Sequence, residues 1–253
     1  MSVFGQLVSQ HDNLAEELPL VHTSRAEFLN AFVSAQAIAP RLCPVFQENL
    51  IYLFYGRPAY RSAKGGLAGD EIALCPICFV FKPNTVSRKA VRVFPCDTGA
   101  VRGNRFQPHL TSNDLPELEL DPRIESARKL VPMLFKTNKS YFFGRAISAS
   151  RFSDGSPPFR FQQLLLAKGP AGFDDRKSAI EIQVRESVSL RDQLSFVVLP
   201  MEFLDDLAIR KAILEDWNCD PEPYDTTQGA APAEYYAIVR RAIEQRFKQS
   251  TRI

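Results

Sequence analysis

The run Ala179-Ile180-Glu181-Ile182-Gln183-Val184 alternates polar and apolar side chains. Successive side chains on a strand point to opposite faces, so this spacing predicts a half-buried strand. Glu181 then shares a face with Ala179 and Gln183, opposite the two isoleucines. On that face the carboxylate either enters a cleft, where it is functional, or meets water as an ordinary strand glutamate. Working outward, Leu194 to Leu199 reads as a second strand, ended by Pro200. Leu50-Ile51-Tyr52-Leu53-Phe54-Tyr55 is a third, stopped by Gly56-Arg57-Pro58, because proline also restricts the residue before it. Ile72 to Phe81 is continuously apolar, as a buried strand would be, and Val91 to Phe94 is another, closed by Asp97-Thr98-Gly99.

Residues 3–17 predict a short polar helix, and Leu18 to Val21 an apolar run that ends at His22-Thr23. Ser24-Arg25-Ala26-Glu27 fits the S-x-x-E capping box, and Phe28, Leu29, Phe32 and Val33 fall on one helical face behind it. The spacing therefore puts His22-Thr23 where a strand hands over to a helix. Asp121-Pro122 predicts a helix start, with Asp at the N-cap and Pro at the first helical position; Ile124, Ala127, Leu130, Val131 and Leu134 form its stripe. Residues 151–160 predict a surface loop, 161–167 a strand or a helix, 202–217 a helix, and 218–232 a linker. Tyr236, Val239, Ile243 and Phe247 make the last segment an amphipathic helix. Strands are not each followed by a helix, so an α+β fold with a mostly antiparallel sheet is expected rather than a doubly wound parallel one. Residues 1–217 are expected to form one domain, with 218–253 a linker and a C-terminal helix packed on it.

The 253 residues carry 31 basic and 29 acidic side chains, a net charge of +2, which excludes a strongly basic nucleic-acid coat. A 45% hydrophobic content supplies a core without disulfides. No apolar run is long enough to span a bilayer, so no membrane partner is expected. The first residues lack a basic stretch followed by an apolar core, and five scattered cysteines are an odd number; together these predict a reduced, cytoplasmic protein.

Cys75-Pro76-Ile77-Cys78 is a C-x-x-C, but a structural zinc site needs four ligands, and only Cys43, Cys96 and His109 remain as partners. Core cysteines are the plainer reading. No phosphate-binding loop, dinucleotide fingerprint, H-E-x-x-H or G-x-S-x-G elbow occurs. Lys64 to Gly69 is glycine-rich without a strand-to-helix setting and reads as a loop.

The ordered set of a first-strand His22-Thr23, a second-strand aromatic and a late-strand Glu181 resembles the ADP-ribosyltransferase superfamily, in its His-containing branch. Within that branch, Leu53-Phe54-Tyr55-Gly56-Arg57-Pro58 is most similar to the aromatic strand and Arg-Pro exit of the bacterial toxins that ADP-ribosylate DNA. The resemblance spans about residues 18–200. It implies a split antiparallel sheet with flanking helices and a C-terminal helix, and a cleft holding NAD as substrate. Breaking the nicotinamide–ribose bond passes through an oxocarbenium-like state, which a placed carboxylate stabilises. By resemblance Glu181 takes that role, and His22, supported by Thr23, bonds the adenosine-side ribose. Tyr55, or else Tyr60 or Tyr52, stacks the nicotinamide, and Arg57 or Arg61 pairs with the pyrophosphate. For the arginines, a solvated surface turn is the alternative. The acceptor is expected to be nucleic acid or protein; Arg57, Arg61, Lys64, Arg88, Lys89, Arg92, Arg102 and Arg105 give residues 57–105 a basic bias that suits nucleic acid. A toxin or defence effector fits this reading. A tRNA 2′-phosphotransferase-like or NAD-hydrolysing enzyme, and a non-catalytic binding module on the same fold, are the alternatives.

Overall fold

The computed structural model describes residues 2–59, 72–83, 85, 89–148, 152–168 and 174–253. The chain opens with α1 (Val3–Ser9), whose Ser2 hydroxyl accepts from Gly5 N and caps it. β1 (Leu20–Arg25) leads through one 3-10 turn into α2 (Leu29–Ala35), and β2 (Ala37–Ile38), β3 (Arg41–Leu42) and β4 (Asn49–Tyr55) follow. β5 (Pro76–Phe81) and β6 (Ala90–Phe94) come next, then α3 (Thr98–Arg102), α4 (Leu115–Leu118), α5 (Ile124–Phe135), α6 (Asn138–Phe142) and α7 (Pro157–Leu166). β7 (Glu181–Val184), β8 (Val188–Ser189), β9 (Leu194–Pro200), α8 (Leu207–Lys211), β10 (Asp220–Tyr224) and α9 (Tyr235–Gln249) complete it.

The main sheet runs β10-β9-β5-β1-β4-β7-β6, with β3 also paired to β4, and β2 and β8 form a separate ribbon. Among the described residues every strand pairing is antiparallel except β9 with β10. The fold is α+β with a mostly antiparallel sheet and a C-terminal helix, as the element order predicts. Among the described residues no helix is long and apolar enough to cross a membrane.

One seam in the sheet is short. β1 pairs with β5 over five residues, Val21 to Arg25, but with β4 over two, Leu20↔Tyr55 and Val21↔Phe54. Past Val21 the two central strands separate. Gly56 makes the exit from β4 possible: its φ is +65°, and a Cβ there would lie 2.4 Å from Leu18 Cδ1, so only glycine fits.

Several local expectations are corrected. Ser24 caps no helix; β1 continues through Ser24↔Ile77 and Arg25↔Pro76, and Ala26 N bonds Cys75 O. Cross-strand pairing outcompetes the capping box. α5 starts after Arg123 rather than at Pro122, since Asp121 O is taken by Arg123 N and Ser126 Oγ in a tight turn; its predicted apolar stripe is buried. The apolar run 72–81 is a 3-10 turn followed by β5, and the first helix ends at Ser9, not at 17. α7 begins at Pro157 inside the expected loop, capped by Ser156, and runs to Leu166, which resolves the segment expected over 161–167 as helical except for Ala167, its extended C-cap. The helix expected over 202–217 is a 3-10 turn, α8 and a π turn. Residues 218–232 are more than a linker: Asp220–Tyr224 forms β10 and extends the sheet. In α9 the buried face is Tyr235, Val239, Ile243 and Phe247, with Tyr236 only half-buried. The five cysteines are free and buried, with Cys78 Sγ 3.2 Å from Thr23 Oγ1.

Candidate functional site

The widening between β1 and β4 opens two adjoining cavities that share His22, Thr23 and Tyr52. The larger, about 500 Å3, is lined among others by Tyr52, Phe54, Asp97, Arg176 and Glu181. The smaller, about 250 Å3, continues past Phe28, Phe32 and Arg41. His22, from β1, and Glu181, from β7, therefore face one space, with β4 between their strands.

Glu181 is 1% exposed. Its Oε1 accepts from Thr98 Oγ1 at 2.7 Å and from Gln183 Nε2 at 2.6 Å, and its Oε2 accepts from Thr98 N at 3.0 Å. Burial, with the Asp97 carboxyl nearby, pushes its pKa up to about 8; the three donors act the other way. The strand expected over 179–184 begins only at Glu181 and is buried on both faces rather than half-buried, because β4 and β6 flank it and its polar face lines the cleft wall; Glu181 lies opposite Phe54 on one side and Phe94 on the other.

His22 sits at the fork. Its Nδ1 lies 2.9 Å from Tyr52 O, where backbone pairing between the strands has stopped. A carbonyl only accepts, so Nδ1 carries the proton and Nε2 of the neutral ring is left as an acceptor. Burial, aided by Arg41, lowers the ring pKa to about 4 against the pull of the Tyr52 carbonyl, which keeps it neutral at physiological pH. Phe32 packs edge-on at 6.5 Å between centroids and fixes the ring from the side.

The tyrosine at the cleft is Tyr52, not Tyr55. Tyr55 is fully buried on the opposite face of β4, and its hydroxyl accepts from Leu18 N at 3.0 Å and donates to Glu16 O at 3.3 Å. A ring held this way cannot stack on a ligand. Tyr52 lines both cavities, and its hydroxyl donates to Cys43 Sγ, which also faces Val45 N and Phe46 N. Phe54, two residues on and on the same face, joins Ala59 and Ala179 in a small apolar cluster beside Tyr52.

Arg57 is likewise internal. It is 1% exposed and donates to Tyr141 O at 3.1 Å and Ser178 Oγ at 2.6 Å, with Asp175 at 3.4 Å. It is a strut behind the site, so neither a pyrophosphate contact nor a solvated turn describes it. Tyr60 and Arg61 lie outside the described residues, as do Lys64 and Arg88 of the basic stretch. The rest of that stretch is divided: Arg92 pairs with Glu48 at 2.5 Å and Lys89 with Glu186 at 3.2 Å.

Among the described residues, the arginines that reach the two cavities are Arg25, Arg41 and Arg176. Arg41 stacks over Phe28 at 3.7 Å. Arg176 is held by Asp174 in a forked pair, Nε to Oδ1 at 2.9 Å and Nη2 to Oδ2 at 2.6 Å. Sequence reasoning missed these, and missed Asp97 and Thr98, which it read only as the close of a strand. Asp97 caps α3 through Ala100 N at 2.8 Å, and that cap aims Thr98 at Glu181. An Asp-Thr-Gly triplet directly after a strand is an N-cap signal, and it was the available clue.

Chemically, the arrangement offers an acceptor-only imidazole nitrogen, an aromatic wall, and a fixed buried carboxylate within one cleft. No protein-family model matches the chain, and no curated protein is significantly similar to it in sequence.

Proposed function

We propose that the chain is an NAD-dependent ADP-ribosyltransferase with the split-sheet fold of that superfamily, acting on a nucleic-acid or protein acceptor as a toxin or defence effector. The observation that carries the reading is that His22, Tyr52 and Glu181, from three adjacent strands, line one cleft at the point where the sheet parts. NAD enters with its adenosine half toward Phe28 and Arg41 and its nicotinamide half toward Glu181. His22 Nε2 accepts from a ribose hydroxyl. Tyr52 or Phe54 offers a flat face to the cationic nicotinamide ring.

The residues then act on one bond. As the nicotinamide–ribose bond breaks, positive charge grows at the ribose C1′ and ring oxygen, and the Glu181 carboxylate, already fixed by three donors, meets that charge without reorganising. The apolar Phe54, Ala59 and Ala179 beside it limit water at the same place.

The test is direct. The purified chain is given NAD, and nicotinamide release is followed with and without candidate acceptors. Release that falls about 100-fold or more in Glu181→Gln supports the reading. A mass increment on an acceptor identifies transfer, and free ADP-ribose identifies hydrolysis. NAD binding without nicotinamide release identifies a binding module and ends the proposal.

A further inference from the structure

Glu181 has little accepting capacity to spare. Oε1 already takes two donors, Thr98 Oγ1 and Gln183 Nε2, and Oε2 takes one, Thr98 N. Each carboxylate oxygen accommodates about two donors, so one position remains, on Oε2. Transfer of a ribosyl group asks for two services: an acceptor and negative charge beside the ribose, and a destination for the proton of the incoming nucleophile. One open position serves one of them.

A second carboxylate lines the same cleft and is unused by the scheme above. Asp97 follows β6, is 9% exposed, and is fixed at both ends: its Oδ1 accepts from Ala100 N at 2.8 Å, and its own N–H donates to Arg176 O at 3.3 Å. Its neighbour Thr98 is the residue that grips Glu181, so the two carboxyl groups belong to one rigid unit at the start of α3.

We propose that Asp97 is the general base of this site, taking the proton of the nucleophile while Glu181 holds the ribosyl cation. The inference rests on reading the cleft as the place where NAD is cleaved. In the step, the C1′–N bond breaks and its electron pair leaves with neutral nicotinamide. The nucleophile's oxygen bonds C1′ and gives its proton to the Asp97 carboxylate, which later releases it to solvent.

The surroundings suit a base. Burial raises the Asp97 pKa above its ordinary value; Arg176 and the Ala100 and Gly99 amides oppose the rise, and Asp174 adds to it. The other titratable groups that sense it are Glu181, Cys96 and Tyr52. A carboxylate pushed toward neutrality accepts a proton more readily at neutral pH.

Chemical rescue tests the assignment. Azide is a nucleophile with no proton to lose, so it needs no base. The probe reactions are NAD with water alone and NAD with sodium azide. Asp97→Ser keeps a helix-capping oxygen and clears space; Asp97→Asn keeps the cap and the shape. Both are expected to slow hydrolysis by about 100-fold or more. Azide is expected to restore nicotinamide release in Asp97→Ser, giving ADP-ribosyl azide, and to leave Glu181→Gln slow. Wild-type hydrolysis in both Asp97 variants overturns the inference and leaves the NAD reading standing. So does a loss that azide does not lift in a variant whose unfolding midpoint and NAD affinity match the wild type. A wild-type chain that releases no nicotinamide overturns both.

Discussion

Thr98 gives Glu181 two hydrogen bonds at once, from its backbone N–H at 3.0 Å and its hydroxyl at 2.7 Å, across 83 residues of sequence. One residue at the start of α3 thus supplies two of the three bonds that fix the carboxylate, Gln183 giving the third.

Removing half of that grip should be visible. Hydrogen bonds to charged groups contribute roughly 1.5–3 kcal/mol. Thr98→Val is therefore expected to slow nicotinamide release on the order of 10-fold to 100-fold with KM for NAD little changed, and Thr98→Ser to restore most of the rate. A Thr98→Val enzyme as fast as wild type would mean that the orientation of Glu181 does not matter.

The Glu181 pKa of about 8 makes a signed prediction for both rate and stability. The reaction needs the ionised carboxylate, so the rate should rise with pH up to about 8 and then level. Stability runs the other way. The unfolded chain ionises this group near 4.5 and the folded chain near 8, so the folded state binds more protons between those values and loses stability as pH rises through the window. Glu181→Gln removes that loss. Its unfolding free energy relative to wild type should improve by about 2–3 kcal/mol between pH 5.5 and pH 8. Denaturant titrations at the two pH values check this, and parallel curves would show that the carboxyl is not perturbed.

His22 acts in the acid range. Its folded pKa is about 4 and its unfolded value near 6.5, so on acidification through that window the unfolded chain takes up a proton that the half-buried ring refuses. Stability is full above about 6.5 and declines toward pH 4. His22→Gln should flatten that decline and, by removing Nε2, weaken NAD binding at neutral pH. Unfolding midpoints from pH 4 to 7 and NAD titration report the two effects separately.

The two tyrosines of β4 should part company. Tyr52→Ala removes a cleft wall and should raise KM for NAD. Tyr55→Phe leaves Leu18 N without its buried acceptor, at a cost of about 1–3 kcal/mol, and should lower the unfolding midpoint with the turnover rate unchanged. Equal effects of both changes on KM would contradict the placement of the rings on opposite faces.

Much of this was legible beforehand. The aromatic run ending at Gly56 and the apolar stripe of α5 each satisfy one local periodicity and appear where the pattern puts them, and the alternation around Glu181 does give a strand, though a shorter one and buried on both faces. The choice among Tyr52, Tyr55 and Tyr60 was not legible. Alternation says that Tyr52 and Tyr55 point oppositely, but which face meets the cleft depends on pairing with β1 and β7, a long-range fact. Arg57 misled for a related reason: an arginine beside glycine and proline looks solvated, yet Ser178 and Asp175, more than a hundred residues on, enclose it. Ser24 shows tertiary pairing overriding a sound local signal.

The far border of the sheet has a consequence of its own. β10 reads Asp220-Pro221-Glu222-Pro223-Tyr224, with proline at every second position. Residues two apart turn their backbone nitrogens the same way, so with β9 served by the others, the side facing outward at Pro221 and Pro223 has no N–H to give. A strand from another molecule arriving there finds carbonyls without matching donors. Edge-to-edge aggregation is thereby discouraged at this border. Replacing both prolines would supply the missing donors and should convert a self-limiting sheet into one able to recruit its own copies.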